Sequence, residues 1–210
     1  MAKPDLNIFP QNNLSGKKIG LLGGSFNPAH AAHLEISLVA LEKLKLDGVW
    51  WLVSPQNPLK SPEGMASFEE RMTSARALLT ESKINRTEPR IYVTDLEEKM
   101  NVRYTVDSVT RITSLLPDTQ FVWLMGADNL AEFSQWKDWK KISQTIVFAI
   151  FDRPGYSTAV ETSDAAAYFL DQRIPSAEAA DLCSLKPPAW TFIRDTKNPL
   201  SSTEIRRKKL

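Results

Sequence analysis

A chain of 210 residues, 42% hydrophobic and 24% charged, has the composition of a globular protein with one sizeable core. Its 26 Lys and Arg against 25 Asp and Glu leave a net charge of +1, which argues against a nucleic-acid-coating protein and against an acidic interaction tail. One cysteine, Cys183, excludes an intrachain disulfide and a cysteine-rich zinc site, and no apolar run approaches membrane-spanning length. Residues 1–16 are polar and lack the apolar centre of a signal peptide, so an N-terminal tail on a cytoplasmic protein is expected.

Apolar runs and helical patterns then alternate along the chain. Ile19–Leu22 reads as a first strand. Leu34, Leu38, Leu41 and Lys45 share one face of a following helix, widened by Ile36 and Val39. Val49–Val53 is a buried second strand, and 54–64 a loop with three prolines. Phe68–Thr80 is helical, with Met72, Ala75 and Leu79 at core spacing. Arg90–Leu96 reads as a third strand, and Val106–Leu116 as a helix that stops before Pro117. Phe121–Met125 and Ile146–Ile150 are the fourth and fifth strands, with short helical structure around Trp136, Trp139 and Ile142 between them. The stretch 156–184 is polar and alanine-rich, a loop with a short helix. Trp190–Arg194 is a sixth strand and Ser201–Leu210 a terminal helix.

Near-continuous apolar strands separated by helices predict a parallel sheet covered on both faces. The expected architecture is α/β: a single Rossmann-like, doubly wound parallel sheet of five to six strands, in one domain over residues 1–210. Ligands of such sheets bind at the carboxyl ends of the strands, where strand order reverses.

The two histidines both fall in Gly23-Gly24-Ser25-Phe26-Asn27-Pro28-Ala29-His30-Ala31-Ala32-His33, directly after the first strand. The dinucleotide fingerprint G-x-G-x-x-G and the P-loop pattern are both absent here. Glycines at a strand end let the backbone pass close to a ligand, and the next helix offers free N–H groups to an anion. His30 and His33, at i and i+3, share one side of the first turn. Two imidazoles there can donate to phosphate oxygens as charge moves in a transition state. A zinc site lacks a third ligand at sensible spacing, so no protein-held metal is expected. At the far end, Ser201 and Glu204 have capping-box spacing after Pro199, with Arg206 one turn in. On its own this block reads more readily as an ordinary capped helix with a solvated basic tail, Arg206-Arg207-Lys208-Lys209, than as an anion site.

The first block closely resembles the signature of the nucleotidyltransferase superfamily with H-x-G-H type motifs, with Ala32 where that family has glycine. Its Gly-Gly-Ser-Phe start is similar to bacterial nicotinate-nucleotide adenylyltransferases. Leu200-Ser201-Ser202-Thr203-Glu204-Ile205-Arg206 resembles the I-S-S-T-x-I-R motif of the same superfamily, with Leu200 where isoleucine is usual. The two blocks lie near opposite ends, so the resemblance covers nearly the whole chain. It implies that His30, His33 and Arg206 are catalytic. It further implies that Gly23, Gly24, Ser25 and Phe26, with Ser202, Thr203 and Arg206, bind ATP.

Other positions acquire roles beside that resemblance. Asn57 and Lys60 lie in the proline-rich loop, where the family places a basic residue near the nucleotides; a solvated loop lysine is the alternative. Thr105 has the character of a helix N-cap, near which the family binds the nicotinate carboxylate. Asp128, ending the fourth strand, suits a ribose hydroxyl or a helix cap. Arg153 matches a family position bordering adenosine. Trp136 matches a family tryptophan on the pyridine ring, although tryptophan at helical spacing is more often core. Arg71 lies on a helix as in the family and reads as structural.

The implied reaction joins ATP to nicotinate mononucleotide, forming deamido-NAD and pyrophosphate, with Mg2+ carried mainly on the phosphates. No nucleic acid or membrane is an expected partner, and the oligomeric state is open, a homo-oligomer included. Rivals are another adenylyltransferase, such as phosphopantetheine adenylyltransferase, a noncatalytic nucleotide-binding module, and a metal-binding protein. The residues do not decide between an acid and an amide acceptor.

Overall fold

The protein is described by a computed structural model over residues 6–56, 63–82 and 90–207. The chain runs through β1 (Lys18–Gly24), α1 (Ala31–Lys43), β2 (Gly48–Val53), α2 (Phe68–Glu81), β3 (Ile91–Thr94), α3 (Leu96–Lys99), α4 (Thr105–Leu115) and β4 (Gln120–Gly126). It continues through α5 (Ala127–Glu132), α6 (Trp139–Thr145), β5 (Val147–Phe151), α7 (Ala159–Thr162), α8 (Asp164–Tyr168), β6 (Arg173–Ile174), β7 (Trp190–Ile193) and α9 (Ser202–Arg207). Short 3-10 segments include Phe133–Gln135 and Ser176–Ser184.

Among the described residues, seven strands form one sheet in the order β3-β2-β1-β4-β5-β7-β6, and every neighbouring pair is parallel. The expectation of five to six strands is therefore corrected to seven. The extra strand is β6, inside the stretch that shows no clear pattern. Two residues are too few for an alternation, and Arg173 is exposed, so apolar periodicity passes over it. It pairs only with the far side of β7.

Alternate strand residues serve opposite faces. Leu21, Trp50, Trp123 and Phe148 stand in register on one face and pack with Val106, Val109 and Ile112 of α4 and Ile142 of α6. Leu22, Trp51, Leu124 and Ala149 face the other way, against Ala40 and Leu41 of α1 and Met72, Ala75 and Leu79 of α2. Burying both faces explains why the central strands read as unbroken apolar runs. Trp50 and Trp51 are fully buried on opposite faces, and each indole N–H is satisfied, by Gln11 Oε1 at 2.9 Å and Ser37 Oγ at 2.8 Å.

Several boundaries differ from the sequence expectation for local reasons. The third strand ends at Thr94, and Leu96 opens α3. Lys45 lies beyond α1 with φ of 51°, and Leu38 is 38% exposed, so the apolar face of α1 is narrower than its leucines suggest. The N-terminal segment is packed: Phe9 and Leu14 are buried, and Phe9 stacks on Trp50 with ring centroids 5.7 Å apart. Among the described residues no helix is long and apolar enough to cross a membrane.

β1 and β4 are adjacent at the sheet's centre, while the connection from β1 leads outward to β2 and β3. Strand order reverses there, and the carboxyl ends of these two strands open a crevice.

Candidate active site

The crevice is a cavity of about 500 Å³ at the ends of β1 and β4. Gly23, Gly24, Ser25, Phe26, His30 and His33 line it from the first junction. Asp128 and Arg153 line it from the ends of β4 and β5, and Ser202, Thr203 and Arg206 from α9. Thr105 and Trp136 line it on the α4 side. Asn57 and Lys60 lie outside the described residues.

The first junction is shaped by close packing. A Cβ on Gly23 would stand 2.4 Å from the Trp123 ring, so only glycine lets β1 pass this wall. Phe26 takes a left-handed φ of 48°, uncommon without glycine, and its ring is held between Trp51 at 5.1 Å and His33 at 4.6 Å. The Asn27 side chain donates to Gly64 O and accepts from Ala66 N, both at 3.2 Å, which ties the turn to the loop before α2. Ala32, where the resembling family has glycine, is the second residue of α1; helical backbone needs no glycine, and alanine favours the helix by about 1 kcal/mol.

His30 is the N-cap of α1, and its N–H donates to His33 Nδ1 at 3.2 Å. That acceptor role leaves the donor proton of a neutral His33 on Nε2. The rings lie 3.8 Å apart, so the two imidazoles act at one place. Burial first, and the Arg153 charge beside it, lower the His30 pKa from 6.5 to about 4 against the opposing pull of Glu204. His30 is therefore a neutral imidazole at pH 7, and an anion in the cavity would raise its pKa.

The C-terminal block meets the same turn. Ser202 Oγ donates to Pro28 O at 2.9 Å, and Arg206 Nη1 donates to Asn27 O at 2.5 Å. The expected capping box is present: Glu204 N donates to Ser201 Oγ at 3.1 Å, and Ser201 N to Glu204 Oε2 at 3.2 Å. Arg153 pairs with Asp128 and also donates to Leu200 O, joining the ends of β4 and β5 to the segment before α9. A side chain at Gly126 would collide with Asp128 Oδ1 at 2.3 Å, so glycine makes room for that carboxylate. Gly126, not Asp128, caps α5.

On the opposite wall, the N-cap of α4 is Tyr104, and Thr105 is the first helical residue, which corrects the cap expected at Thr105. Trp136 packs edge-on to Phe133 at 5.3 Å and to Trp123 at 6.4 Å, partly buried against the core while lining the cavity. Core packing and a cavity-facing position thus hold together.

Three residues support the site, and of these Arg71 alone stood out in the sequence. Arg71, 2% exposed, donates to Ser25 O and Ser54 O at 2.7 Å, Pro55 O at 2.8 Å and Ala66 O at 3.1 Å. A helical arginine flanked by core residues was the available hint. Glu35 accepts from Lys197 N at 3.2 Å and Asn198 N at 3.0 Å, tying α1 to the path into α9. Glu97 is buried, accepts from Ser108 Oγ at 2.6 Å, and is pushed by burial up to about 7.

Four buried polar atoms have no hydrogen-bond partner among the described residues: Ser25 Oγ, His30 Nδ1, Trp123 Nε1 and Asp128 Oδ1. All four belong to residues that line this cavity. Buried polar groups are otherwise satisfied in native proteins, so their concentration here marks a functional site.

A parallel sheet with a phosphate-suited strand-to-helix turn at its reversal point, met by Ser, Thr and Arg from a C-terminal helix, defines a nucleotidyltransferase. The family model described as cytidylyltransferase-like matches residues 21–208, and the chain belongs to that family. Within it, the chain is 46% identical over 193 residues to a probable nicotinate-nucleotide adenylyltransferase of Parvibaculum lavamentivorans, covering 92% of each chain. A probable nicotinate-nucleotide adenylyltransferase of Brucella suis is 43% identical, over 91% of this chain and 95% of the relative. The fold is also that of Plasmodium falciparum nicotinic acid mononucleotide adenylyltransferase, solved in complexes with APC and with NaAD. Those structures superpose with TM-scores of 0.64 and 0.65 at 19% identity, over 91% of this chain and 83% of theirs.

Proposed function

We propose that this protein transfers the adenylyl group of ATP to nicotinate mononucleotide, forming deamido-NAD and releasing pyrophosphate. The observation that carries this reading is the meeting of both phosphate-suited blocks in one cavity, through the bonds from Ser202 and Arg206 to Pro28 and Asn27. The names of the close relatives support the acceptor.

The acceptor phosphate is ionised at pH 7, so its oxygen can attack the α-phosphorus of ATP in line without a strong base. Positioning and charge stabilisation then supply most of the rate. Among the described residues Arg206 donates to Asn27 O and Thr203 Oγ1, both neutral, and in this reading its charge serves phosphate oxygens. His30 and His33 donate hydrogen bonds to the same oxygens as charge builds. Ser202 and Thr203 contribute hydroxyls, and Gly23, Gly24, Ser25 and Phe26 supply the backbone against which ATP lies. Asp128 and Arg153 hold the adenosine side, with Asp128 toward ribose.

Trp136 stacks on the pyridine ring, and main-chain N–H groups near Thr105 receive its carboxylate. Asn57 and Lys60 join the acceptor side on the strength of the family resemblance. Among the described residues no three His, Cys, Asp or Glu side chains cluster as a metal cage. Mg2+ carried mainly on phosphate oxygens and water would neutralise triphosphate charge. Soluble nucleotide substrates fit a cytoplasmic location.

The test is pyrophosphate release from ATP with nicotinate mononucleotide, nicotinamide mononucleotide and phosphopantetheine run in parallel. The acid should be the preferred acceptor; no turnover with it rejects the proposal.

A further inference from the structure

Glu97 is 6% exposed, yet it belongs to the cavity wall. Burying a carboxyl group is costly, and an apolar side chain of similar size would fill a wall more cheaply. Its side-chain partner comes from a separate element: Ser108 Oγ, near the start of α4, donates to Oε1 at 2.6 Å. The Glu97 main-chain carbonyl also accepts from Val102 N at 2.9 Å. The segment between α3 and α4 is therefore gripped from both sides by one residue. Arg103, Tyr104 and Thr105, which line the cavity, follow immediately.

We infer that Glu97 is a positioning residue for the acceptor end of the cavity, its carboxyl group holding Ser108 and its main-chain carbonyl holding Val102, and so setting where the start of α4 faces the acceptor. The inference rests on the proposed acceptor role of that wall. Burial raises the group to about 7, so the neutral carboxyl, still accepting from Ser108, is accessible near pH 7. Glutamine keeps the acceptor oxygen that Ser108 meets.

Steady-state kinetics on Glu97→Ala, Glu97→Gln, Ser108→Ala and the Glu97→Ala/Ser108→Ala pair test it. Glu97→Ala should raise KM for nicotinate mononucleotide about tenfold or more with KM for ATP unchanged. Glu97→Gln should stay near the unmodified enzyme, and the double variant should be no worse than Glu97→Ala. A parallel rise in KM for ATP, or a glutamine variant as impaired as alanine, overturns the brace.

Amide hydrogen exchange reads the same brace without substrate. Residues 102–106 should exchange faster in Glu97→Ala or Ser108→Ala while α1 keeps its protection. Unchanged exchange there sinks the inference. Failure of the unmodified enzyme to use nicotinate mononucleotide sinks the functional proposal instead.

Discussion

Arg206 donates to the main-chain carbonyl of Asn27 across 179 positions of sequence, which aims a C-terminal guanidinium at the turn that precedes His30. Its other partner, Thr203 Oγ1 at 3.4 Å, is also neutral. Arg206→Ala should lower turnover by about 10²-fold or more, with the circular dichroism spectrum retained. Arg206→Lys should recover only part, because one ammonium cannot hold the carbonyl and reach a phosphate in the same fork geometry. Full activity in the alanine variant removes the assigned role.

His30→Ala should reduce turnover by a similar ~10²-fold or more through loss of a donor to the phosphates. The folded protein keeps His30 neutral down to about pH 4, whereas the unfolded chain titrates at 6.5. A lowered folded pKa means that stability from this group is fully present above 6.5 and is lost as pH falls through 6.5 toward 4. His30→Asn should therefore lose less stability than the unmodified protein across that window in urea unfolding. Parallel curves would contradict the neutral buried imidazole. ATP should move the His30 titration upward by NMR.

Arg71→Met would strip four carbonyls of one shared donor and cost about 3 kcal/mol or more of stability. Because those carbonyls belong to the first junction and to the loop after β2, KM should rise for both substrates. Denaturant midpoints and two-substrate kinetics read these effects separately. A variant with normal stability would show that the carbonyls find other partners.

Trp136→Ala should raise KM for the pyridine nucleotide about tenfold while leaving KM for ATP in place. A purely structural tryptophan would instead lower the melting temperature and leave both constants alone.

Glu97 supplies a stability signature of opposite sign to His30. Its folded pKa is raised from 4.5 to about 7, so its favourable contribution is complete below 4.5 and lost as pH rises through 7. Glu97→Gln should gain on the unmodified protein above pH 7, by up to about 3 kcal/mol, and show little difference near pH 4. Thermal melts across pH 4–8 decide it, and a constant offset would reject the buried carboxyl.

Local chemistry made the reacting end legible. Turn glycines, His30 and His33 one turn apart, and the Ser201–Glu204 box each act within a few residues, where spacing alone sets geometry. The central strands were equally legible, because burial on both faces leaves unbroken apolar runs. The two residues of β6 were not, since they hold no pattern of their own.

What tertiary structure alone decided is how those parts are held. Arg71 finds Ser25 46 positions away, Glu35 finds Asn198 at 163, and Trp136 serves core and cavity together. Such partners are chosen by strand order, which puts β1 beside β4 and returns α9 to the first turn. A carbonyl offers the same acceptor at every position, so no residue type in the sequence marks which carbonyls a distant guanidinium will meet.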